Sequence, residues 1–404
     1  MAADMVEEFL RGSYVDMVNE ALKGAWGDVK SRVTMKEKVS RAAFLGKLFA
    51  REFFGLLTGL TYVMFVKSVW REPEKYKHRW NFRLHRNLRY GNAKRTMLDV
   101  YTPENSDLSS SLPVLMFVHG GVWSSGDKTL FSPIGATLAH HGLIAVLVQY
   151  SLYPKVLSKD QVQELSQALT WTQDNIHQFG GDPERVHVMG HSSGAHLCGM
   201  LFWERVSRKL NASARPGVQA VDKRQPRCYI GCSGVYNIAE HYKYEIGRGV
   251  HSLSCMNPAN GGPENFDAMS PELLFESLLP LIGKKKDRNS KNGELTQDKN
   301  GLEEFDWDQF AASVPPFINF ASDNDITVPP TSSIKFSHLL RKLGFRSGTC
   351  VHETLAHDDF VCWVRGYKGV DNLPSHILLK DILEIVRKDD HIDSFVKAEL
   401  TVTD

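Results

Sequence analysis

Within "HVMGHSSGAHL", residues 187–197, Gly190-His191-Ser192-Ser193-Gly194 matches Gly-x-Ser-x-Gly, with an apolar run before it and a helical start after it. A serine on such a strand-to-helix turn is held in a strained backbone conformation with its hydroxyl exposed, and the flanking glycines allow close backbone approach. The register makes Ser192 the nucleophile. Ser193 acts through its backbone N–H, and Gly190 and Gly194 support the turn. A serine hydroxyl is a poor nucleophile at neutral pH, so it needs a base, and the base needs an orienting carboxylate. On this kind of turn the three run in the chain order Ser, acid, His.

Downstream, "NFASDNDITVPP" offers Asp323 and Asp325. Asp325 is preferred because Asp-x-x-Val-Pro sets it beside the turn into the next helix; Asp323 remains the alternative. "HETLAHDDF" offers His352 and His357. His352 lies inside a strand pattern, where its ring would pack, whereas His357 follows in a loop, 32 residues after Asp325. His357 is therefore the expected base. Upstream, His119-Gly120-Gly121-Val122-Trp123 closes an apolar run. Glycines there expose backbone N–H groups, and fixed donors stabilise the negative charge that develops on an attacked carbonyl oxygen. Gly121, Val122 and Ser193 are the candidate oxyanion donors. Gly120 supports that loop, and His119 is expected to brace it through a ring hydrogen bond, since it precedes the nucleophile. His191 and His196, although on the turn itself, are assigned to packing or pocket lining. The chemistry is acyl transfer and calls for no metal or organic cofactor. The six cysteines contain no Cys-x-x-Cys pair, and His140, His141, His241 and His251 show no metal-ligand spacing.

These residues need a rigid support. "LPVLMFVHGG" (112–121) and "GLIAVLVQYS" (142–151) are continuous apolar runs, as expected of central parallel strands. A helical stretch containing "IGATLAHHG" lies between them and stops at Gly142. Residues 159–179 carry Val162, Leu165, Leu169, Trp171 and Ile176 at mostly helical spacing. Further strands are expected up to His191, at 227–234, 315–325 and 348–354, and 83–103 reads as a hairpin turning near Gly91 and Asn92. Strands alternating with helices imply a mostly parallel sheet covered on both faces.

The chain has 404 residues and a net charge of +1, which gives no global field for nucleic acid. Residues 21–100 nevertheless hold 18 Lys/Arg against 6 Asp/Glu, a basic region suited to a membrane surface or an acidic partner. Inside it, "FFGLLTGLTYVMFV" (53–66) is free of charge for 14 residues, short of the roughly 20 that span a bilayer. Flanking Lys67, Trp70 and Arg71 fit an interfacial anchor, and a lid helix is the alternative. The acidic start, "MAADMVEEFL", does not read as a secretory signal, and reduced thiols are expected.

The motifs "LDVYTP", "HGGVW", "GGDPERVHVMGHSSGAHL", "DNDITVP" and "AHDDF" resemble the hormone-sensitive-lipase-like esterases of the α/β-hydrolase fold. Kynurenine formamidases and feruloyl or acetyl esterases share that set. Residues 231–274 are more specifically similar to isoprenylcysteine α-carbonyl methylesterases, through Ser233, Gly234, Tyr236, Asn237, His241, Arg248, Gly249, Ser270, Pro271 and Glu272. The resemblance covers roughly residues 40–385. It implies hydrolysis of the methyl ester on a prenylated cysteine, a small hydrophobic ester substrate, membrane association, and an endoplasmic reticulum or Golgi location, with a cytoplasmic one as the alternative. The alternative activity is that of a soluble carboxylesterase or arylformamidase using the same triad. Two departures stand out. Gln149 and Ser151 in "VQYSLYP" replace an Asp-Tyr-Arg, so that loop must be held differently, and Ser193 replaces Ala without altering the backbone donor.

The expected organisation is an N-terminal extension (1–40), a hydrophobic membrane-associated or lid helix region (41–80), an α/β-hydrolase catalytic domain (81–390) with a mobile polar insertion at 283–304, and a C-terminal tail (391–404).

Overall fold

The computed structural model describes residues 15–47, 81–213, 224–282, 305–361, 375–397 and 401–403. The apolar run 53–66, the insertion 283–304 and Cys362 lie outside them.

Among the described residues nine strands form one sheet: β1 Phe82–Arg89, β2 Met97–Pro103, β3 Leu112–Val118, β4 Ile144–Gln149, β5 Gly181–His191, β6 Cys228–Cys232, β7 Phe317–Ser322, β8 Ser347–His352 and β9 Thr401–Thr403, in the order β1-β2-β4-β3-β5-β6-β7-β8-β9. Only β1–β2 and β2–β4 pair antiparallel. The chain is an α/β-hydrolase by fold. The helices are α1 Val15–Ser31, α2 over 35–47, α3 Ser132–His140, α4 Ser158–Asn175, α5 Ser193–Ser213, α6 Ile238–Arg248, α7 Thr331–Lys342, α8 Ser375–Arg387 and α9 Asp389–Lys397, besides shorter turns.

β3 shows why its sequence is apolar throughout. Successive side chains of a strand point to opposite faces. Val114, Met116 and Val118 enter a core with Leu165 and Leu169 of α4 and Leu197 and Leu201 of α5. Leu115 and Phe117 enter the opposite core with Ile134 and Leu138 of α3 and Leu378 and Ile382 of α8. Both faces are buried, so neither position can be polar.

The C-terminal segment differs from the expected tail. Ile392, Phe395 and Val396 of α9 recur at helical spacing and pack on the second core. α9 runs so close to β8 that a Cβ at Gly348 would collide with the Phe395 carbonyl, and β9 extends the sheet beside β8. That strand is too short to show a period in the sequence.

At the other end, α1 and α2 dock on the catalytic body. Arg41 donates to Asp28 Oδ2 at 2.7 Å and to the Gly249 carbonyl at 3.1 Å, and Tyr153 donates its hydroxyl to Glu20 at 3.2 Å. Ala21 and Leu45 are buried, whereas Leu22, Trp26, Met35, Val39 and Phe44 are exposed. No helix among the described residues is long and apolar enough to cross a membrane.

Candidate active site

β5 ends at His191, α5 begins at Ser193, and Ser192 between them has φ 54°. A non-glycine residue in that left-handed region carries strain of about 1–3 kcal/mol, sustained here by its surroundings. Ser192 N–H donates to the Cys232 carbonyl at 2.9 Å, and its own carbonyl accepts from Ala195 and His196 N–H at 2.9 and 3.1 Å. The turn is packed at backbone level: a Cβ at Gly194 would strike the Val118 carbonyl, and one at Gly190 would strike the Gly194 carbonyl.

The loop after β3 lies directly against this turn. A Cβ at Gly120 would sit 2.8 Å from the His191 carbonyl oxygen and 2.9 Å from Ser192 Cβ. Gly121, Val122 and Trp123 all have positive φ, at 132°, 51° and 58°. Ser124 and Ser125 N–H close the turn on the Gly121 carbonyl at 3.0 and 2.9 Å.

His119 braces that loop as its position suggested. Its Nδ1 donates to the Gly120 carbonyl at 2.8 Å, and its ring stacks on Tyr150 (4.4 Å) and Phe131 (5.7 Å). Burial pushes its pKa down to about 4, with the Gly120 hydrogen bond offsetting part, so the ring is neutral. The departure at 149–151 is also resolved. Gln149 Nε2 donates to Asp127 at 2.7 Å, and Ser151 N–H donates to Glu164 at 2.6 Å. Two separate carboxylates thus hold this loop.

Asp325 follows β7, and His357 opens a short 3₁₀ turn after β8. His357 Nδ1 donates to Asp325 Oδ2 at 2.8 Å, while Oδ1 accepts from Thr327 and Val328 N–H at 2.8 and 2.9 Å. Burial would raise the Asp325 carboxyl, but the hydrogen bond and charge of His357 and the Val328 N–H outweigh it and hold it below the usual value. Asp323 is exposed, and only its backbone N–H is engaged, with the His352 carbonyl at 3.0 Å. His352 is buried on β8 beside Phe320. The chain-order choice of Asp325 and His357 therefore coincides with the pair that meets.

Two elbow histidines do more than pack. His191 Nε2 donates to the backbone carbonyl of His357 at 2.9 Å, with ring centroids 4.7 Å apart. His196 Nε2 donates to the Met269 carbonyl at 2.7 Å, and its Nδ1 accepts from Trp123 Nε1 at 3.1 Å. Burial, chiefly, pushes their pKa values down to about 3 and 4, so both work as neutral rings. A histidine beside a nucleophile motif was the available signal, but its partners are 166 and 73 residues away.

Cys198, Cys228, Cys232, Cys255 and Cys350 are all buried and outside any disulfide. Cys350, His352 and Asp381 bring potential metal-ligand atoms within 4.8 Å of one another, a grouping across β8 and α8 that sequence spacing does not reveal. It is separate from the Asp325–His357 pair.

The family model BD-FAE matches residues 98–256, which span the loop after β3 and the Ser192 turn. An isoprenylcysteine alpha-carbonyl methylesterase of Arabidopsis thaliana is 27% identical over 80% of this chain and 67% of its own length. A probable isoprenylcysteine alpha-carbonyl methylesterase of the same plant is 28% identical over 76% and 56%. The chain thus spans between about half and two-thirds of these curated relatives. Esterase B of Lactobacillus rhamnosis superposes with a TM-score of 0.56 at 17% identity, covering 84% of this chain and 98% of that one, a likeness of fold.

Proposed function

We propose that this chain, an α/β-hydrolase of the esterase group similar to isoprenylcysteine α-carbonyl methylesterases, is a serine carboxylester hydrolase that demethylates prenylated cysteine methyl esters. The observation that carries the hydrolase reading is the left-handed Ser192 turn together with a 2.8 Å His357–Asp325 bond in the chain order such a turn requires.

In this reading His357 takes the Ser192 proton as the oxygen attacks the ester carbonyl. The N–H groups of Gly121, Val122 and Ser193 hold the oxyanion. His357 then protonates the departing methanol, leaving an acyl-enzyme. The same base activates water, which attacks the acyl carbonyl; the acid leaves and Ser192 regains its proton. Asp325 fixes the imidazole so that Nε2 faces the serine. The prenyl chain favours an enzyme held at a membrane, which the family resemblance places in the endoplasmic reticulum or Golgi, and the basic segment 21–100 with its apolar run supports membrane association.

Ser192→Ala lowers methanol release from a prenylcysteine methyl ester by at least about 10⁴-fold with the fold intact; retained turnover overturns the mechanism. Comparing that ester with N-formylkynurenine and a short-chain nitrophenyl ester on the purified protein decides the substrate class, because preference for N-formylkynurenine would make it an arylformamidase.

A further inference from the structure

His196 touches both the Ser192 turn and the loop after β3. It lies in the first turn of α5, where its backbone N–H donates to the Ser192 carbonyl at 3.1 Å. Its ring reaches across to the loop. Nδ1 accepts the Trp123 indole N–H at 3.1 Å, and the two rings meet edge to face at 5.1 Å. Trp123 follows directly on Gly121 and Val122, whose N–H groups are the expected oxyanion donors, and the same loop passes against Ser192 at Gly120.

That loop is held in an unfavourable shape. Val122 and Trp123 are non-glycine residues with φ of 51° and 58°. Such residues persist only where their surroundings over-determine them. Val122 is exposed and supplies little of that restraint, whereas Trp123 is buried and held at both ends. Its carbonyl accepts from Gln161 Nε2 at 2.8 Å and from Tyr153 N–H at 3.0 Å, and its indole is held by His196.

The direction of the His196 bonds is forced. An indole N–H can only donate, and a backbone carbonyl can only accept. Nδ1 must therefore accept from Trp123, and Nε2 must carry the hydrogen that it gives to the Met269 carbonyl at 2.7 Å. Only the neutral imidazole with its hydrogen on Nε2 fits both partners, and burial, which pushes the pKa down to about 4, keeps that form at neutral pH. Met269 closes the short 3₁₀ turn Asp267–Met269 and is itself buried, so the far end of this chain of bonds is fixed.

We propose that His196 is a positioning residue for the oxyanion donors: by holding the Trp123 indole it sets the Gly121 and Val122 N–H groups at the carbonyl that Ser192 attacks. The inference rests on the esterase reading above and adds to it a residue that touches no substrate.

The test uses nitrophenyl acetate as substrate and an alkyl trifluoromethyl ketone as inhibitor, whose adduct with Ser192 carries a negative oxygen at the same donors. Outright loss of one oxyanion donor costs about 10²- to 10³-fold in kcat, and a displaced loop costs less. His196→Leu lowers kcat by about 10- to 100-fold with KM within about twofold, and weakens the ketone by the same factor. His196→Gln, whose amide accepts and donates at once, recovers most of the loss. Trp123→Phe removes the indole donor and reproduces it, and the two changes combined add little further, because both cut one bond. Unchanged kcat in His196→Leu overturns the proposal. So does a fall in kcat with the ketone's affinity unmoved, or a His196→Gln variant as impaired as His196→Leu. Should His196→Leu fail to fold, Trp123→Phe decides: unchanged kcat and ketone affinity in that variant overturn the proposal. Wild-type hydrolysis that survives Ser192→Ala removes the esterase reading itself, and the proposal with it.

Discussion

The Ser192 turn and the Asp325–His357 pair are built in opposite ways. Around Ser192 the working parts are backbone: a left-handed residue, N–H groups of adjacent loops, and glycines at van der Waals limits against Val118 and Gly194 carbonyls. Around His357 they are side chains on two loops, joined by one 2.8 Å hydrogen bond and steadied by His191. The backbone that presents the Ser192 hydroxyl is inseparable from the fold that carries it, although the hydroxyl itself can be removed without harm to the fold. A side-chain site can lose its chemistry while the fold persists.

Substitutions in the two regions sharpen that contrast, from the greatest effect to the least. Gly194→Ala forces a methyl into the Val118 carbonyl between β3 and α5. It should destabilise the protein by more than about 3 kcal/mol, seen as a large fall in melting temperature or loss of soluble protein. A well-folded variant would break the comparison.

Asp325→Asn should instead keep the fold and cost about 10³- to 10⁴-fold in kcat, because an amide leaves the imidazole in the wrong tautomer; Asp323→Asn should change kcat by less than about twofold. The Asp325 carboxyl is held below its ordinary 3.8, so its ionised form stabilises the fold at pH above that value and the contribution fades as pH falls through the lowered one. The melting-temperature gap between wild type and Asp325→Asn at pH 6 should therefore close below about pH 4. A gap that widens in acid would refute the assignment.

His191→Phe removes only the donor to the His357 carbonyl. A neutral hydrogen bond is worth about 0.5–1.5 kcal/mol, so kcat should fall roughly two- to tenfold with KM unchanged. His191→Gln, which keeps an N–H at similar reach, should recover most of it. Equal loss in both variants would mean that the ring's packing, and not its hydrogen bond, supports the base.

Much of the site was legible because it is written locally. Gly190 to Gly194 and His119 to Trp123 are contiguous, and the small residues they need follow from backbone contacts that any such turn makes. Asp325 and His357 were legible through chain order and loop position, which excluded Asp323 and His352. The tie between α6 and the residue after Asp325 was not legible, because in sequence α6 is an ordinary amphipathic helix and the Tyr244–Ile326 bond joins residues far apart in the chain. β9 and α9 were missed for a related reason: three strand residues have no readable period until a neighbouring edge pairs with them.

The sequence by itself determined the alternation of buried strands and helices, the Ser192 turn, and the choice of Asp325 and His357 as the acid and base proposed for it. Periodicity and glycine placement are local properties of the chain. Only the tertiary structure decided the charge states of the interior and the partners of its polar atoms. It made His119, His191 and His196 neutral and turned two of them into supports for distant backbone. Burial and distance between remote residues exist only once the chain has closed on itself.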